Sequence, residues 1–161
     1  MRKKPMNSKT KILFLILSII MSMVIQAKDK AKDKPVYASK RTNIAIKGYD
    51  PVAYFTENKA VKGNKKLSFI WHGSKWLFSS EQHKSLFVND PEKYAPQYGG
   101  WCAYAMSDGR TVSIDPKAFD IYNNKLYLNY SKSVLGHWRK EKDLFIKQAN
   151  DYYPAVVELP E

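Results

Sequence analysis

Leu67 to Phe87 has the sequence LSFIWHGSKWLFSSEQHKSLF, which carries the signals for two strands, a tight turn and a helix. Apolar and polar residues alternate on both sides of the HGSK segment at 72–75, and this pattern predicts a β-hairpin. Ser79 begins an S-x-x-Q capping box, which predicts that a helix starts there. His83 and Phe87 are four residues apart and should share one face of that helix.

A second hairpin and a C-terminal helix complete the predicted domain. Asn123-Asn124 lies between two apolar runs, and asparagine tolerates the left-handed backbone of a tight turn. Asp115-Pro116 predicts a helical turn. Ser131 or Ser133 should cap the longest helix, which continues to about Tyr152, shortly before a proline. The predicted class is α+β, with antiparallel β-hairpins, helices packed on one side and a long C-terminal helix.

Residues 1–27 have the organisation of a signal peptide. The first eleven residues carry only positive charge, and Ile12 to Ile25 is an apolar block interrupted by two serines. Ala27 is a small residue at the expected cleavage position. We therefore expect a periplasmic or secreted protein with no membrane attachment after cleavage. The alternative is an uncleaved N-terminal anchor.

The remaining chain is long enough for one domain. Residues 28–42 begin with alternating lysine and aspartate, and we expect a charged, disordered spacer because such a segment buries little apolar surface. Residues 43–154 should form the domain, and residues 155–161 a C-terminal tail.

The formal net charge is +12, but lysines in the domain are scattered along the sequence. This distribution favours a solvated basic surface over a nucleic-acid site. Cys102 is the single cysteine, which excludes an intramolecular disulfide. In an oxidising compartment, a lone thiol is buried, metal-bound, reactive or paired with another chain.

Tyr94 to Ala105 (YAPQYGGWCAYA) concentrates the unusual residues of the chain. It holds the cysteine, the Gly-Gly pair and four aromatic rings. Gly-Gly allows positive φ and close backbone approach, and the rings supply apolar area with polar tips. The segment is therefore a candidate surface for a small apolar or aromatic ligand, or for a protein partner. The candidate contact residues are Tyr98, Gly99, Gly100 and Trp101.

Several of these segments resemble the YHS-domain family. The matching residues are Gly48-Tyr-Asp-Pro-Val-Ala-Tyr-Phe55, the pattern W-x-G-x-x-W-x-F-x-S-x-x-H-x-x-x-F from Trp71 to Phe87, and Pro91-x-x-Tyr94. The extension from Tyr98 to Ala105, together with residues 126–131 and Trp138, looks like a stand-alone, exported branch of that family.

The resemblance implies a connection with soft metals, because YHS domains also occur fused to heavy-metal transporters. The family places cysteines after Asp-Pro-Val, before the serine of the second motif, and sometimes at the histidine position. This sequence has Ala53, Ser79 and His83 at those positions.

A soft-metal site is therefore the leading functional hypothesis. Cys102 would supply a thiolate, His83 an imidazole, and Met106 or His137 a weaker ligand. Such donors favour Cu(I) or, less specifically, Zn(II).

Two other hypotheses remain open for the same residues. One is a non-catalytic module for a small ligand or a protein, in which Cys102 is buried as a small hydrophobe and His83 belongs to the core. The other is a cysteine-dependent enzyme, which would need a lowered thiol pKa at Cys102.

Overall fold

The computed structural model describes residues 33–158, and two antiparallel hairpins form its sheets. β1 (Asn64–Trp71) pairs with β2 (Ser74–Phe78), and β3 (Asp115–Tyr122) pairs with β4 (Lys125–Asn129). His72 and Gly73 in the first turn have positive φ, as do the two asparagines of the second. The predicted hairpins and the α+β class are confirmed. The predicted signal peptide lies outside the described residues.

Helices and short 3₁₀ turns are the other regular elements of the described chain. None of the helices within residues 33–158 is long and apolar enough to cross a membrane. The 3₁₀ turns cover Ile46–Gly48 and Gln97–Gly100. The helices are α1 (Ala53–Thr56), α2 (Glu81–Asn89), α3 (Pro91–Tyr94), α4 (Ala103–Met106), α5 (Lys132–Trp138) and α6 (Lys142–Val156).

The cap of α2 differs by one residue from the prediction. Ser80 is the N-cap, and its hydroxyl accepts a hydrogen bond from the backbone N–H of His83 at 3.1 Å. The hydroxyl of Ser79 instead binds the carboxylate of Asp50 at 2.6 Å. The capping-box pattern therefore predicted the wrong serine, because the Ser79 hydroxyl donates its hydrogen bond to Asp50, which is distant in the sequence.

The predicted long C-terminal helix is divided into two. Ser131 caps α5, as predicted, by accepting a hydrogen bond from the N–H of Val134 at 3.2 Å. The N–H groups of Lys140 and Glu141 then bond three residues back, which tightens the chain and ends α5. α6 starts at Lys142 and continues to Val156, two residues beyond the proline expected to stop it.

Asp115-Pro116 does not start a helical turn, because both residues belong to β3. Asp115 pairs with Asn129 on β4, and the carbonyl of Pro116 accepts a hydrogen bond from the Tyr54 hydroxyl at 2.9 Å. The local Asp-Pro signal is overridden by strand pairing and by this contact with α1.

The buried apolar residues form two clusters. The first lies beneath the β1–β2 hairpin and includes Trp76, Phe78 and Phe87. The second lies between the β3–β4 hairpin and the C-terminal helices, and includes Trp138, which is fully buried, and Tyr127, whose ring centroid is 5.0 Å away. Each fully buried large side chain contributes about 1.5–3 kcal/mol of hydrophobic stabilisation.

The described part of the predicted spacer, residues 33–42, is packed on the domain. Val36 is buried, and the N–H of Tyr37 donates to the carbonyl of Gly99 at 3.0 Å. Asp33 pairs with Val157 beyond α6. The expectation of disorder therefore fails for these residues. The expectation was wrong because it treated the apolar residues 36–37 as part of the lysine-rich segment 28–34.

Gly99 is the point of closest approach between this N-terminal segment and the Tyr94–Ala105 stretch. Its φ is +58°, and a Cβ added there would lie 1.7 Å from the carbonyl oxygen of Pro35. Only glycine allows both this backbone conformation and this contact.

Gly99→Ala should destabilise the protein more than Gly73→Ala does. Both glycines have positive φ, so each alanine costs about 1–2 kcal/mol from its backbone conformation. A Cβ at Gly73 would meet no atom within 4 Å, whereas the clash at Gly99 should add a further ~1–3 kcal/mol. Urea denaturation of the two variants measures the difference, and equal losses would show that the Pro35 contact does not constrain the fold.

Candidate functional site

The carboxylate of Asp50 is fully buried and joins three segments of the chain. Its Oδ1 accepts hydrogen bonds from the N–H groups of Val52 at 2.9 Å and Ala53 at 3.4 Å. Its Oδ2 accepts from the N–H of Ser79 at 2.8 Å, the Ser79 hydroxyl at 2.6 Å and His83 Nδ1 at 2.7 Å. One side chain therefore ties the start of α1 to the end of β2 and to α2.

His83 connects this buried carboxylate to the surface. Because Nδ1 donates to Asp50, Nε2 points the other way, 3.2 Å from the Thr56 hydroxyl and 4.0 Å from Glu57 Oε1. The His83 side chain is 11% exposed and the Glu57 side chain 43%. A carboxylate on one ring nitrogen fixes the tautomer and the direction of the other. Asp50 therefore orients the imidazole from its buried side. Nε2 lies at the outer edge of the network near Glu57, and we call this edge the rim.

The positions at which the YHS resemblance places cysteines converge on this network. The N–H of Ala53 and the side chains of Ser79 and His83 all contact Asp50. Ser79 Oγ also lies 3.2 Å from His83 Nδ1. None of the three residues is a cysteine, so the network offers nitrogen and oxygen atoms in place of thiolates.

Asp50, His83 and Thr56 follow the carboxylate–imidazole–hydroxyl order of a nucleophilic triad. The Thr56 hydroxyl also lies 3.2 Å from the carbonyl of Val52, four residues earlier. This is the ordinary back-bond of a helical threonine, and it accounts for the position of the hydroxyl without a reaction.

Cys102 is buried in the first apolar cluster, with 1% of its surface exposed. Its Sγ lies 3.8 Å from Asn129 Oδ1, which also accepts a hydrogen bond from the N–H of Tyr104 at 3.2 Å. Burial raises the pKa of the Cys102 thiol, and nearby backbone N–H groups oppose this effect only in part. The described environment is that of a protonated, packed thiol.

The four predicted metal ligands occupy different environments. His83 lies in the Asp50 network and Cys102 in the first apolar cluster, whereas Met106 is buried in the second cluster and His137 is exposed on α5. Across residues 33–158, no group of three or more His, Cys, Asp or Glu side chains is placed to hold a metal ion. The structure therefore does not bring the thiol and the histidines together as one ligand set.

The four predicted ligand-contacting residues are likewise distributed over separate surfaces. Tyr98 and Gly99 line a cavity of about 250 Å³ that also includes Trp71. Trp101 lines a different cavity of about 250 Å³ next to the N-terminal segment. Gly100 is buried, and a Cβ there would lie 2.5 Å from a methyl group of Ile46.

Sequence analysis missed Asp50, Thr56 and Glu57 as members of a polar site. Asp50 was quoted only as part of the family motif, and no role was assigned to its carboxylate, whose Oδ1 accepts hydrogen bonds from the N–H groups of Val52 and Ala53 at the start of α1. The signal that could have found the site is the Asp-Pro-Val motif taken together with the later serine and histidine. Their separations of 29 and 33 residues gave no local pattern to detect.

Asp50→Asn should destabilise the protein more than Ser79→Ala does. The new amide nitrogen would face N–H and O–H donors in a buried position, at a cost of about 2–4 kcal/mol. Ser79→Ala removes one hydroxyl and keeps its backbone hydrogen bond, so a loss of about 1 kcal/mol is expected. Urea denaturation of both variants measures the two losses. A small loss for Asp50→Asn would contradict the central role of the carboxylate.

Cys102 in the folded protein should react with iodoacetamide at neutral pH more slowly than glutathione does. The raised thiol pKa lowers the thiolate fraction, and burial blocks access. In urea the reaction should approach the glutathione rate. Mass spectrometry follows it directly, because the chain has a single cysteine. A native rate equal to or above that of glutathione would contradict the packed environment.

Residues 52–98 match the family model of the YHS domain. This region contains α1, the first hairpin, α2 and α3, and therefore most of the Asp50–His83 network. Neither the curated proteins nor the solved structures include a match to the chain. The extension that suggested a stand-alone, exported branch lies mainly beyond the matched residues, so that finer assignment stays a prediction. The chain is a YHS domain-containing protein.

Proposed function

We propose that this YHS domain binds a divalent metal ion of borderline softness, Zn(II) or Cu(II), at the outer edge of the Asp50–His83 network. The observation that carries the proposal is the 2.7 Å hydrogen bond from His83 Nδ1 to a fully buried carboxylate. Histidines that bind metals are commonly oriented in this way, with a carboxylate on the nitrogen that does not meet the ion.

The donor atoms at the rim are those that such an ion accepts. His83 Nε2, the Thr56 hydroxyl and the Glu57 carboxylate lie together where α1 meets α2. Imidazole and oxygen donors suit Zn(II) and Cu(II), whereas Cu(I) prefers thiolate and thioether. The residues present therefore fit a nitrogen- and oxygen-binding ion. They do not fit the thiolate site that the sequence suggested.

The roles of the individual residues follow from their contacts. Asp50 contacts Nδ1 and thereby directs Nε2 to the rim. Glu57 supplies a negative charge from a side chain exposed enough to adjust its position. A bound ion would supply a cross-link between α1 and α2. The frequent link between the YHS family and metals, copper in particular, supports the proposal at the level of the family.

In this proposal Cys102 is a structural core residue. Its contact with Asn129 and its burial account for it without a ligand role. We also propose that the protein acts in the periplasm or outside the cell, as its N-terminal sequence predicts.

His83→Gln and Glu57→Gln should each weaken Zn(II) binding, by at least roughly tenfold for His83→Gln, because the first removes the imidazole and the second removes the negative charge of the carboxylate. Isothermal titration of the folded variants with Zn(II) at neutral pH measures this. Cys102→Ser should bind as the unaltered protein does. The matched control is the double variant His72→Gln/His137→Gln, which removes the two exposed histidines and should also leave the high-affinity site unchanged.

Three results would overturn the proposal. Loss of binding in Cys102→Ser would assign the metal to the thiol, as the sequence suggested. Loss in the double control would show adventitious binding to surface histidines. If neither Zn(II) nor Cu(II) binds the unaltered protein, the domain is better described as a non-catalytic small-ligand or protein-interaction module. Glu57→Gln keeps the test decisive if His83→Gln fails to fold, because Glu57 is not part of the buried network.

A further inference from the structure

An open groove of about 560 Å³ lies between β3 and α5. On β3 it is lined by Lys117, Phe119, Asp120 and Ile121. On α5 it is lined by Lys132 and Gly136, which are one helical turn apart. This β3–α5 groove shares no residue with the His83 network.

The groove carries an excess of positive charge. Lys117, Lys132 and Arg139 line it together with a single acidic residue, Asp120. Asp120 is already paired with Arg139 at 3.2 Å and with Lys142 at 3.5 Å. Within residues 33–158, the ammonium groups of Lys117 and Lys132 make no hydrogen bond or ion pair. Two of the three cations that line the groove therefore have no anionic partner within the described residues.

Three apolar side chains line the groove beside these charged groups. Phe119 and Ile121 are half-buried and pack against the first apolar cluster, and Leu135 is 6% exposed. Gly136 leaves the α5 wall open, because a Cβ there would meet no atom within 4 Å. Unpaired ammonium groups thus stand beside apolar surface that a ligand could cover.

We propose that the β3–α5 groove binds a small amphiphilic anion, in which a carboxylate or phosphate head is attached to an apolar body. The head lies between the ammonium groups of Lys117 and Lys132, and the body covers Phe119, Ile121 and Leu135. The volume is within the range of roughly 300–1,000 Å³ that is usual for small-molecule sites. The two ammonium groups attract the anionic head because their charges are complementary. Binding of the apolar body is favourable because it removes apolar area from water.

The probes are octanoate and octyl phosphate, each below its micelle concentration, 1-octanol below its solubility limit, and inorganic phosphate. We expect both octyl anions to bind, with shifts of backbone amide NMR signals confined to β3, α5 and their neighbours. Octanol and inorganic phosphate should bind at least roughly tenfold more weakly, since each lacks one half of the ligand. Added salt should weaken the octyl anions, because the ammonium groups are exposed to solvent. The octyl anion that binds with the higher affinity identifies whether the natural head is a carboxylate or a phosphate.

The charge test uses the double variant Lys117→Gln/Lys132→Gln. Both ammonium groups are unpaired, so the fold should be unaffected, and affinity for the octyl anions should fall about tenfold. The matched control is Lys65→Gln/Lys147→Gln, which makes the same change in net charge at two exposed positions outside the groove. It should bind nearly as well as the unaltered protein.

The shape test uses Gly136. Gly136→Phe should fill the groove and abolish binding of the octyl anions, whereas Gly136→Ala should retain it, because the added methyl group has open space. Four results would overturn the proposal: no binding of either octyl anion, equal binding of octanol, equal losses in the two lysine double variants, or unchanged binding in a folded Gly136→Phe.

Discussion

The structure depends on a buried carboxylate that must be fully hydrogen-bonded. A charged group removed from water is strongly destabilising unless donors replace its solvation. Asp50 obtains those donors from α1, from the residue that follows β2, and from His83 on α2. If the three segments separated, the carboxylate would be exposed to solvent or would lose its hydrogen-bond donors. The network therefore fixes how the first hairpin, α1 and α2 are joined.

The same interaction connects stability with the proposed function. Asp50 orients His83 as a consequence of satisfying its own carboxylate, so the imidazole is held before any ligand arrives. Pre-orientation lowers the entropic cost of binding. Cys102 contributes to stability in a different way, since it is a small apolar group packed in the core next to Asn129. The residue that stood out most in the sequence is thus explained by packing, and the polar site is built around Asp50, to which the sequence assigned no chemical role.

Two of the main errors of prediction originate in contacts between distant residues, and a third originates in local backbone hydrogen bonding. Ser79 matched a capping box, but Asp50 binds its hydroxyl and Ser80 takes the cap. The C-terminal helix looked continuous, but it is interrupted after Trp138, where successive N–H groups bond three residues back. The spacer looked disordered from its charges, but its apolar residues pack on the domain at Gly99. Ser79 and the N-terminal segment are therefore placed by tertiary partners, whereas the helix break is a local change in backbone hydrogen bonding.

The sequence by itself determined both hairpins, the helix that carries His83 and the α+β class, because alternation, turn residues and helical spacing act between neighbours along the chain. It also contained the motif that matches the YHS family model. Only the tertiary structure decided which polar groups meet. Asp50 and His83 are 33 residues apart, and Cys102 and Asn129 are 27 apart. Such encounters depend on how separate elements pack. For that reason the chemistry of the thiol and of the imidazole had to be learned from their surroundings in the fold.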